Sequence, residues 1–334
     1  MNLAGKRVLV TGGSGFIGSH LVHRLLLEGS DVAVMVRYGN VMRCERLRGC
    51  WDQLTIIEAD LRNRGALQQA REFAPDVVYH LAAYNHVGES FVQVEECFDV
   101  NAKGTANLLD TLSGYAGKFV YLSTSEVYGH QTAVPFEESM RPEPISPYAV
   151  TKYAGEQYCS LYQRLDNSLP VVIVRGFNVF GPYQSSKAII PELIVNCLQN
   201  KPIRTTKGEQ TREFNFVSNL VDGIVAASQY DNPLPGVINI ASGQETAIRD
   251  LVFKIAEITG GTSNIEIGAL PYRPTEIWRM FADTTRARTL LDWEPKVGLA
   301  EGLRITVEWF REYLKHFPAP AGQMNAGADF AFAQ

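Results

Sequence analysis

The sequence has few cysteines, and none is arranged to act with another. Cys44, Cys50, Cys97, Cys159 and Cys197 are scattered, odd in number and without a Cys-x-x-Cys pair. That argues against a disulfide framework or a zinc site, and a reducing cytoplasm is the expected home. Long apolar runs are missing too: no stretch approaches the roughly 18 residues of a membrane span. The N-terminal M-N-L-A-G-K-R-V-L-V-T-G-G reaches glycine after three apolar residues, without a signal-peptide core. No membrane association is expected. Basic charge is in short supply, with 31 Lys and Arg against 36 Asp and Glu and a formal net charge of -5, so there is no electrostatic footprint for nucleic acid. Nor do 28 Gly and 16 Pro among 334 residues amount to a collagen-like or low-complexity chain. With 46% hydrophobic and 20% charged residues, the composition is that of a globular protein, long enough for one large or two unequal domains. Partners are expected to be small or locally recognised.

The first half alternates short β-branched runs with longer helical patterns, as βαβ units of a parallel sheet do. Strands are predicted at Arg7 to Thr11, Asp31 to Val36, Leu54 to Glu58, Asp76 to His80, Lys118 to Ser123 and Val171 to Val174. Between the first two, Ile17, Leu21, Val22, Leu25 and Leu26 mark one helical face and Gly29 a stop. Beyond about residue 175 the rhythm loosens: Gly181-Pro182, Lys201-Pro202, Pro233, Pro235 and Gly260-Gly261 divide a smaller mixed region, with helical patterns near 187–199 and 246–258. The predicted organisation is a nucleotide-binding unit over 1–175, with strands and helices returning to it near 210–245, a smaller lobe over 176–317, and a tail at 318–334 without apolar periodicity.

T-G-G-S-G-F-I-G puts Gly12, Gly15 and Gly18 after the first strand and at the opening of the first helix. Glycines there permit a tight turn, let backbone N–H groups approach a pyrophosphate, and allow close helix packing. About 20 residues on, at the end of the second strand, an acidic residue would select NAD and an arginine would accommodate a 2′-phosphate. The residue is Arg37, which favours NADP over NAD; Asp31 sits at the wrong end of that strand. A second constellation, S-T-S-E-V-Y-G at 123–129, follows the fifth strand and precedes S-P-Y-A-V-T-K at 146–152. Pro147 suits a helix start. Tyr148 and Lys152 are then one turn apart on one face, where the ammonium is expected to lower the phenol's pKa and make Tyr148 a base near neutrality.

Together with A-D-L at 59–61, H-L-A-A at 80–83, V-N-A-K-G-T at 100–105, R-G-F-N-V-F-G-P at 175–182, T-R-E-F-N-F-V at 211–217 and D-W-E-P at 292–295, these pieces resemble the extended short-chain dehydrogenase/reductase family, in its nucleotide-sugar epimerase and dehydratase branch. The resemblance runs to about Tyr313. It implies an α/β fold, a Rossmann doubly wound parallel sheet with a smaller mixed α/β C-terminal substrate-binding lobe, and a homodimer built on the helix from Gly104 onward and the helix of Tyr148. By the same resemblance Gly12, Gly15, Phe16, Ile17, Gly18, Arg37, Asp60, Leu61, Leu81, Ala82, Ala83, Asn101, Tyr148 and Lys152 surround the cofactor. His86, Asn178, Lys187, Arg212 and Arg279 are then candidates for a nucleotide-diphosphate sugar, with Arg273 beside them.

Within that branch, Thr124-Ser125-Glu126 is similar to the Thr-Ser-Glu of GDP-mannose 4,6-dehydratases and differs from the Thr-Asp-Glu of dTDP-glucose 4,6-dehydratases. V-R-Y at 36–38 and G-P-Y-Q-S-S-K-A-I-I-P at 181–191 resemble dehydratases of UDP- or GDP-N-acetylglucosamine pathways. The implied activity is 4,6-dehydration, with Thr124, Ser125, Glu126, Tyr148 and Lys152 as the catalytic set. Four-epimerisation and UDP-glucuronate-type decarboxylation are the enzymatic alternatives. A non-catalytic NADP-binding regulator is a third, disfavoured by the joint presence of Tyr148 and Lys152.

Overall fold

The structure, a computed structural model, describes residues 1–38, 44–165, 169–230, 236–272 and 276–316. Strands β1 (Arg7–Thr11), β2 (Asp31–Val36), β3 (Thr55–Glu58), β4 (Val77–His80), β5 (Lys118–Thr124) and β6 (Val171–Gly176) form within two residues of the predicted runs. Between them lie helices α1 (Phe16–Leu27), α2 (Gln68–Phe73), α3 (Val87–Ser90), α4 (Val94–Phe98), α5 (Gly104–Leu112) and α6 (Pro147–Leu165), the last opening on the expected proline. The later half adds β7 (Val179–Phe180), α7 (Ile189–Leu198), β8 (Ile203–Thr205), β9 (Thr211–Glu213), β10 (Asn215–Phe216), α8 (Val217–Gln229), β11 (Val237–Ile240), β12 (Glu245–Ala247), α9 (Ile248–Thr259), β13 (Ile265–Ile267), β14 (Arg279–Met280), α10 (Thr285–Leu291) and α11 (Leu299–His316).

One seven-stranded sheet, in the order β11-β6-β5-β4-β1-β2-β3, organises the chain, and every neighbouring pair in it runs parallel. Period-two alternation explains why both of its faces are covered. Val8, Val10, Val32, Val34 and Val120 enter one buried cluster, with α1 and α8, while Leu9, Ala33, Met35, Phe119 and Tyr121 enter another, with α5. Each valine, leucine, methionine or phenylalanine among them contributes roughly 1.5–3 kcal/mol when fully removed from water. This is the Rossmann-type doubly wound fold expected from the sequence. The seventh strand, β11, returns from the later half and pairs with β6 from Val237↔Ile173 to Ile240↔Gly176.

The strand order reverses between β1 and β4, and at such a switch point the crevice outside the strands' carboxyl ends takes ligands. Around it the later half contributes three small pairings: β7 with β10, β8 with β13, and β9 between β12 and β14. All five cysteines are free and buried. Among the described residues no helix is long and apolar enough to cross a membrane. The expected tail at 318–334 and Arg273 lie outside the described residues.

Candidate active site

The turn from β1 into α1 is built on two close approaches. Gly12 has φ +71, and a Cβ on it would stand 2.7 Å from the backbone nitrogen of Ala82, just past β4. A Cβ on Gly18 would collide with the carbonyl oxygen of Gly12. Only glycines let the turn fold back this tightly against its helix. Gly15 is the N-cap of α1 and adds no side-chain cap, so the first backbone N–H groups stay available for an anion. Phe16 and Ile17 open that helix. The turn fits a pyrophosphate.

The exit of β4 is held by a chain of hydrogen bonds with one consistent direction. Burial pushes His80 down to about 3, so its ring is neutral. Ala82 N donates to Thr11 Oγ1 at 3.2 Å, which leaves the threonine hydroxyl to donate to His80 Nδ1 at 2.7 Å. His80 Nε2–H then donates to Thr105 Oγ1 at 2.9 Å, and Thr105 to the carbonyl of Asn101 at 2.6 Å. Sequence reading passed over His80 as a functional group, although it opens the H-L-A-A motif. Through Thr11 it supports the backbone of Ala82 from behind.

Asn101 does the same for the next residues. It is 1% exposed and lies in a π-turn at Asp99–Lys103. Its amide exchanges hydrogen bonds with the backbone of Tyr84, at 2.7 and 3.0 Å, and donates to Thr151 Oγ1 at 3.1 Å. Asn101 is thus a clamp between the β4 exit and α6. Arg37 is exposed just past β2. Asp60 takes three hydrogen bonds from Arg62, two of them from the guanidinium at 2.9 and 2.6 Å; these lead the causes that hold its carboxyl below the usual range, with a small contribution from Arg37. Arg62 was missed, though it directly follows A-D-L. The Leu61 side chain is buried against Gly104.

At the carboxyl end of β5 the chain turns through a short 3-10 segment, Ser125–Tyr128, capped by Thr124 Oγ1 accepting from Glu126 N at 3.2 Å. Thr124 stands beside the Tyr148 phenol, close enough to oppose its upward shift, and the charge of Glu126 is felt there as well. A hydroxyl, a phenol and a carboxylate thus converge. Burial pushes the Tyr148 phenol above the ordinary tyrosine value, Glu126 adds to that, and Thr124 only partly opposes it. The lowering expected from Lys152 is therefore corrected: its ammonium donates to the carbonyl of Leu122 at 2.7 Å and lies 4.2 Å over the Tyr121 ring. Burial in turn brings Lys152 down to about 8.

Other expected residues are differently placed. Ser125 is 2% exposed and its hydroxyl turns to Met280 Sδ at 3.6 Å, away from a catalytic role. Asn178, at φ 26, meets the same sulfur at 4.0 Å. Arg212 is buried and occupied, by Glu276 at 2.8 Å and by the carbonyls of Ile277 at 2.6 Å and Thr211 at 2.8 Å. Arg279 faces outward and forks onto Glu245 at 2.7 and 2.6 Å, an ion pair at the rim. Lys187 and His86 are exposed, with Lys187 3.8 Å from Glu89 and His86 edge-on to Tyr84.

Comparison with known proteins places this geometry among nucleotide-sugar enzymes. A family model described as GDP-mannose 4,6 dehydratase matches residues 9–306. A UDP-glucose 4-epimerase of Mycolicibacterium smegmatis is 36% identical over 316 residues, covering 91% of this chain and 98% of the relative. A dTDP-D-glucose 4,6-dehydratase of Bos taurus is 32% identical over 321 residues, covering 92% and 89%. A UDP-glucuronic acid 4-epimerase of Bacillus cereus, in complex with UDP-glucuronic acid and NAD, superposes with a TM-score of 0.83 at 31% identity, covering 92% of this chain and 99% of that one.

Proposed function

We propose, since this chain belongs to the extended short-chain dehydrogenase/reductase family of nucleotide-sugar epimerases and dehydratases, that it is a nucleotide-sugar 4,6-dehydratase, a lyase that turns a nucleotide-diphosphate hexose into its 4-keto-6-deoxy derivative. The observation that carries this reading is the carboxylate of Glu126, buried beside Tyr148 and Thr124. Oxidation at carbon 4 alone needs a phenol and a hydroxyl, whereas elimination also needs a base for carbon 5.

The cradle at Gly12, Gly15 and Gly18 would hold a nicotinamide dinucleotide, which would supply a hydride acceptor for carbon 4 and a hydride donor for carbon 6 with no net change in its own oxidation state. To act as the base Tyr148 must first give up its own proton, which burial opposes and the positive charge of a bound nicotinamide ring would favour; as phenolate it takes the proton of the 4-hydroxyl, with Thr124 beside the same oxygen. The resulting ketone acidifies carbon 5, and Glu126 takes that proton. The carbon 6 hydroxide departs with the proton from Glu126, as water. Tyr148 restores a proton to carbon 5, so that the net change is the loss of one water. Arg37 supports NADP as the cofactor; the NAD seen in the Bacillus cereus neighbour supports the other choice.

Residues 176–317 supply the sugar-nucleotide lobe, with Asn178, Lys187 and Arg212 toward the diphosphate. Arg212 would have to exchange Glu276 for phosphate oxygens, a replacement of one charge-assisted fork by another. A homodimer accounts for apolar side chains left in water on and near α4 and α6, among them Phe91 at 58%, Phe98 at 53% and Val150 at 51% exposure. Light scattering tests that state.

A second reading, 4-epimerisation, is favoured by Ser125, whose hydroxyl faces Met280 and offers no acid to a leaving group. Turnover of nucleotide hexoses in heavy water separates the two. Deuterium at carbon 5 of a 4-keto-6-deoxy product is the dehydratase result; inversion at carbon 4 without solvent label, or release of carbon dioxide, refutes it.

A further inference from the structure

Tyr148, Lys152 and Glu156 stand at i, i+4 and i+8 of α6 and so share the face that this helix turns to the sheet. Glu156 is 2% exposed. Its carboxylate accepts from Ser123 Oγ at 2.5 Å and from Arg175 twice, Nε at 2.9 Å and Nη2 at 2.7 Å. Helix α6 is therefore latched to two consecutive residues of β5, Lys152 to Leu122 and Glu156 to Ser123, with Tyr148 beside Thr124 at the next.

Arg175 carries the latch further. It sits opposite Ser123 in the β5–β6 register, is 3% exposed, and holds its guanidinium carbon 4.5 Å from the centre of the Tyr128 ring. Tyr128 closes the turn that bears Glu126, and its hydroxyl donates to Asn239 Oδ1 of β11 at 2.7 Å. Contacts thus run without a break from the helix of Tyr148 to the turn of Glu126, behind the strand end of Thr124. Stability is a weak reason for this pair, since buried ion pairs can often be replaced by apolar residues at no loss. Geometry is a better one, because a bidentate fork sets both distance and angle.

We propose that Glu156 and Arg175 are positioning residues that hold Tyr148 and Glu126 at the separation needed for oxidation at carbon 4 to be followed by proton removal at carbon 5. The inference rests on the dehydratase reading above. It predicts an asymmetric defect. The contacts of Tyr148 with Thr124 and of Lys152 with Leu122 do not need the pair, whereas the Glu126 turn loses the guanidinium that covers Tyr128.

The test uses the cofactor-loaded enzyme with a nucleotide hexose that the wild type turns over, and a double variant, Glu156→Leu with Arg175→Met, which leaves no buried charge unpaired. Reduced nicotinamide is expected to form on substrate addition at close to the wild-type rate, and to accumulate. Release of the 4-keto-6-deoxy product is expected to fall about a hundredfold, the scale of a misplacement near 1 Å. Should the double variant not fold, Arg175→Lys keeps the charge but loses the planar fork, and the same step is expected to slow about tenfold. Wild-type product release from the variant, or equal losses in reduction and release, overturns the inference alone. A wild type that yields no keto product from any nucleotide hexose overturns the dehydratase reading and the inference with it.

Discussion

Glu213 lies at the end of β9, 0% exposed, with four donors on its carboxylate. Oε1 accepts from the backbone N–H and the hydroxyl of Ser242 and from Gly243 N at 3.1 Å, and Oε2 accepts from Ala282 N at 2.7 Å. These bonds favour the ionised form, but burial outweighs them and raises the carboxyl from 4.5 to about 7. The consequence for stability has a definite sign. Below pH 4.5 the group is protonated in both folded and unfolded chains; between 4.5 and about 7 the unfolded chain ionises while the folded one keeps its proton, so stability falls as pH rises across that window and levels off above it. The loss is on the order of 3 kcal/mol. Glu213→Gln removes the titration, at a fixed cost from turning amide hydrogens toward backbone donors. The stability of the variant relative to the wild type should therefore rise by about 3 kcal/mol from the acid to the alkaline side of the window, read by chemical denaturation of the two proteins at matched pH. A relative stability that stays flat, or falls, would show that the four donors overcome burial and that the carboxylate is ionised throughout.

Three further outcomes are expected. If the Lys152 ammonium must be charged for turnover, kcat/KM declines through an alkaline limb near pH 8, where burial places that group; a profile flat across the alkaline range excludes the requirement. Gly18→Ala drives a methyl into the Gly12 carbonyl, so it should cost about 1–3 kcal/mol of stability and weaken cofactor binding, checked by thermal melts with and without the dinucleotide. Wild-type cofactor affinity in that variant would remove the glycine turn from the dinucleotide site. Arg37→Ala should weaken NADP about tenfold, the loss of one hydrogen bond to a charged group, and leave NAD unchanged in equilibrium titrations. Equal effects on both cofactors would refute the role given to Arg37.

What could be read from the sequence was set by local geometry. The βαβ rhythm, the glycine turn, the helix start at Pro147 and the i, i+4 spacing of Tyr148 and Lys152 need only neighbours in the chain, and the strands lie within two residues of expectation. What escaped depends on residues far apart. Arg212 looks like an available cation until Glu276, 64 residues away, is found on it. Ser125 looks like a second catalytic hydroxyl until Met280, 155 residues on, is found receiving it. The Tyr148 phenol was expected to move down because Lys152 is one turn away. It moves up, because burial, which no spacing records, outweighs what a single helix turn can supply. The same reasoning bears on Glu156, which follows Lys152 at the same interval but gains meaning only when β6 delivers Arg175 to it. Patterns along one helix identify which groups share a face; whether a shared face becomes a proton path depends on which charges the sheet carries to it, and here the sheet answers α6 with a hydroxyl at Thr124 and a guanidinium at Arg175.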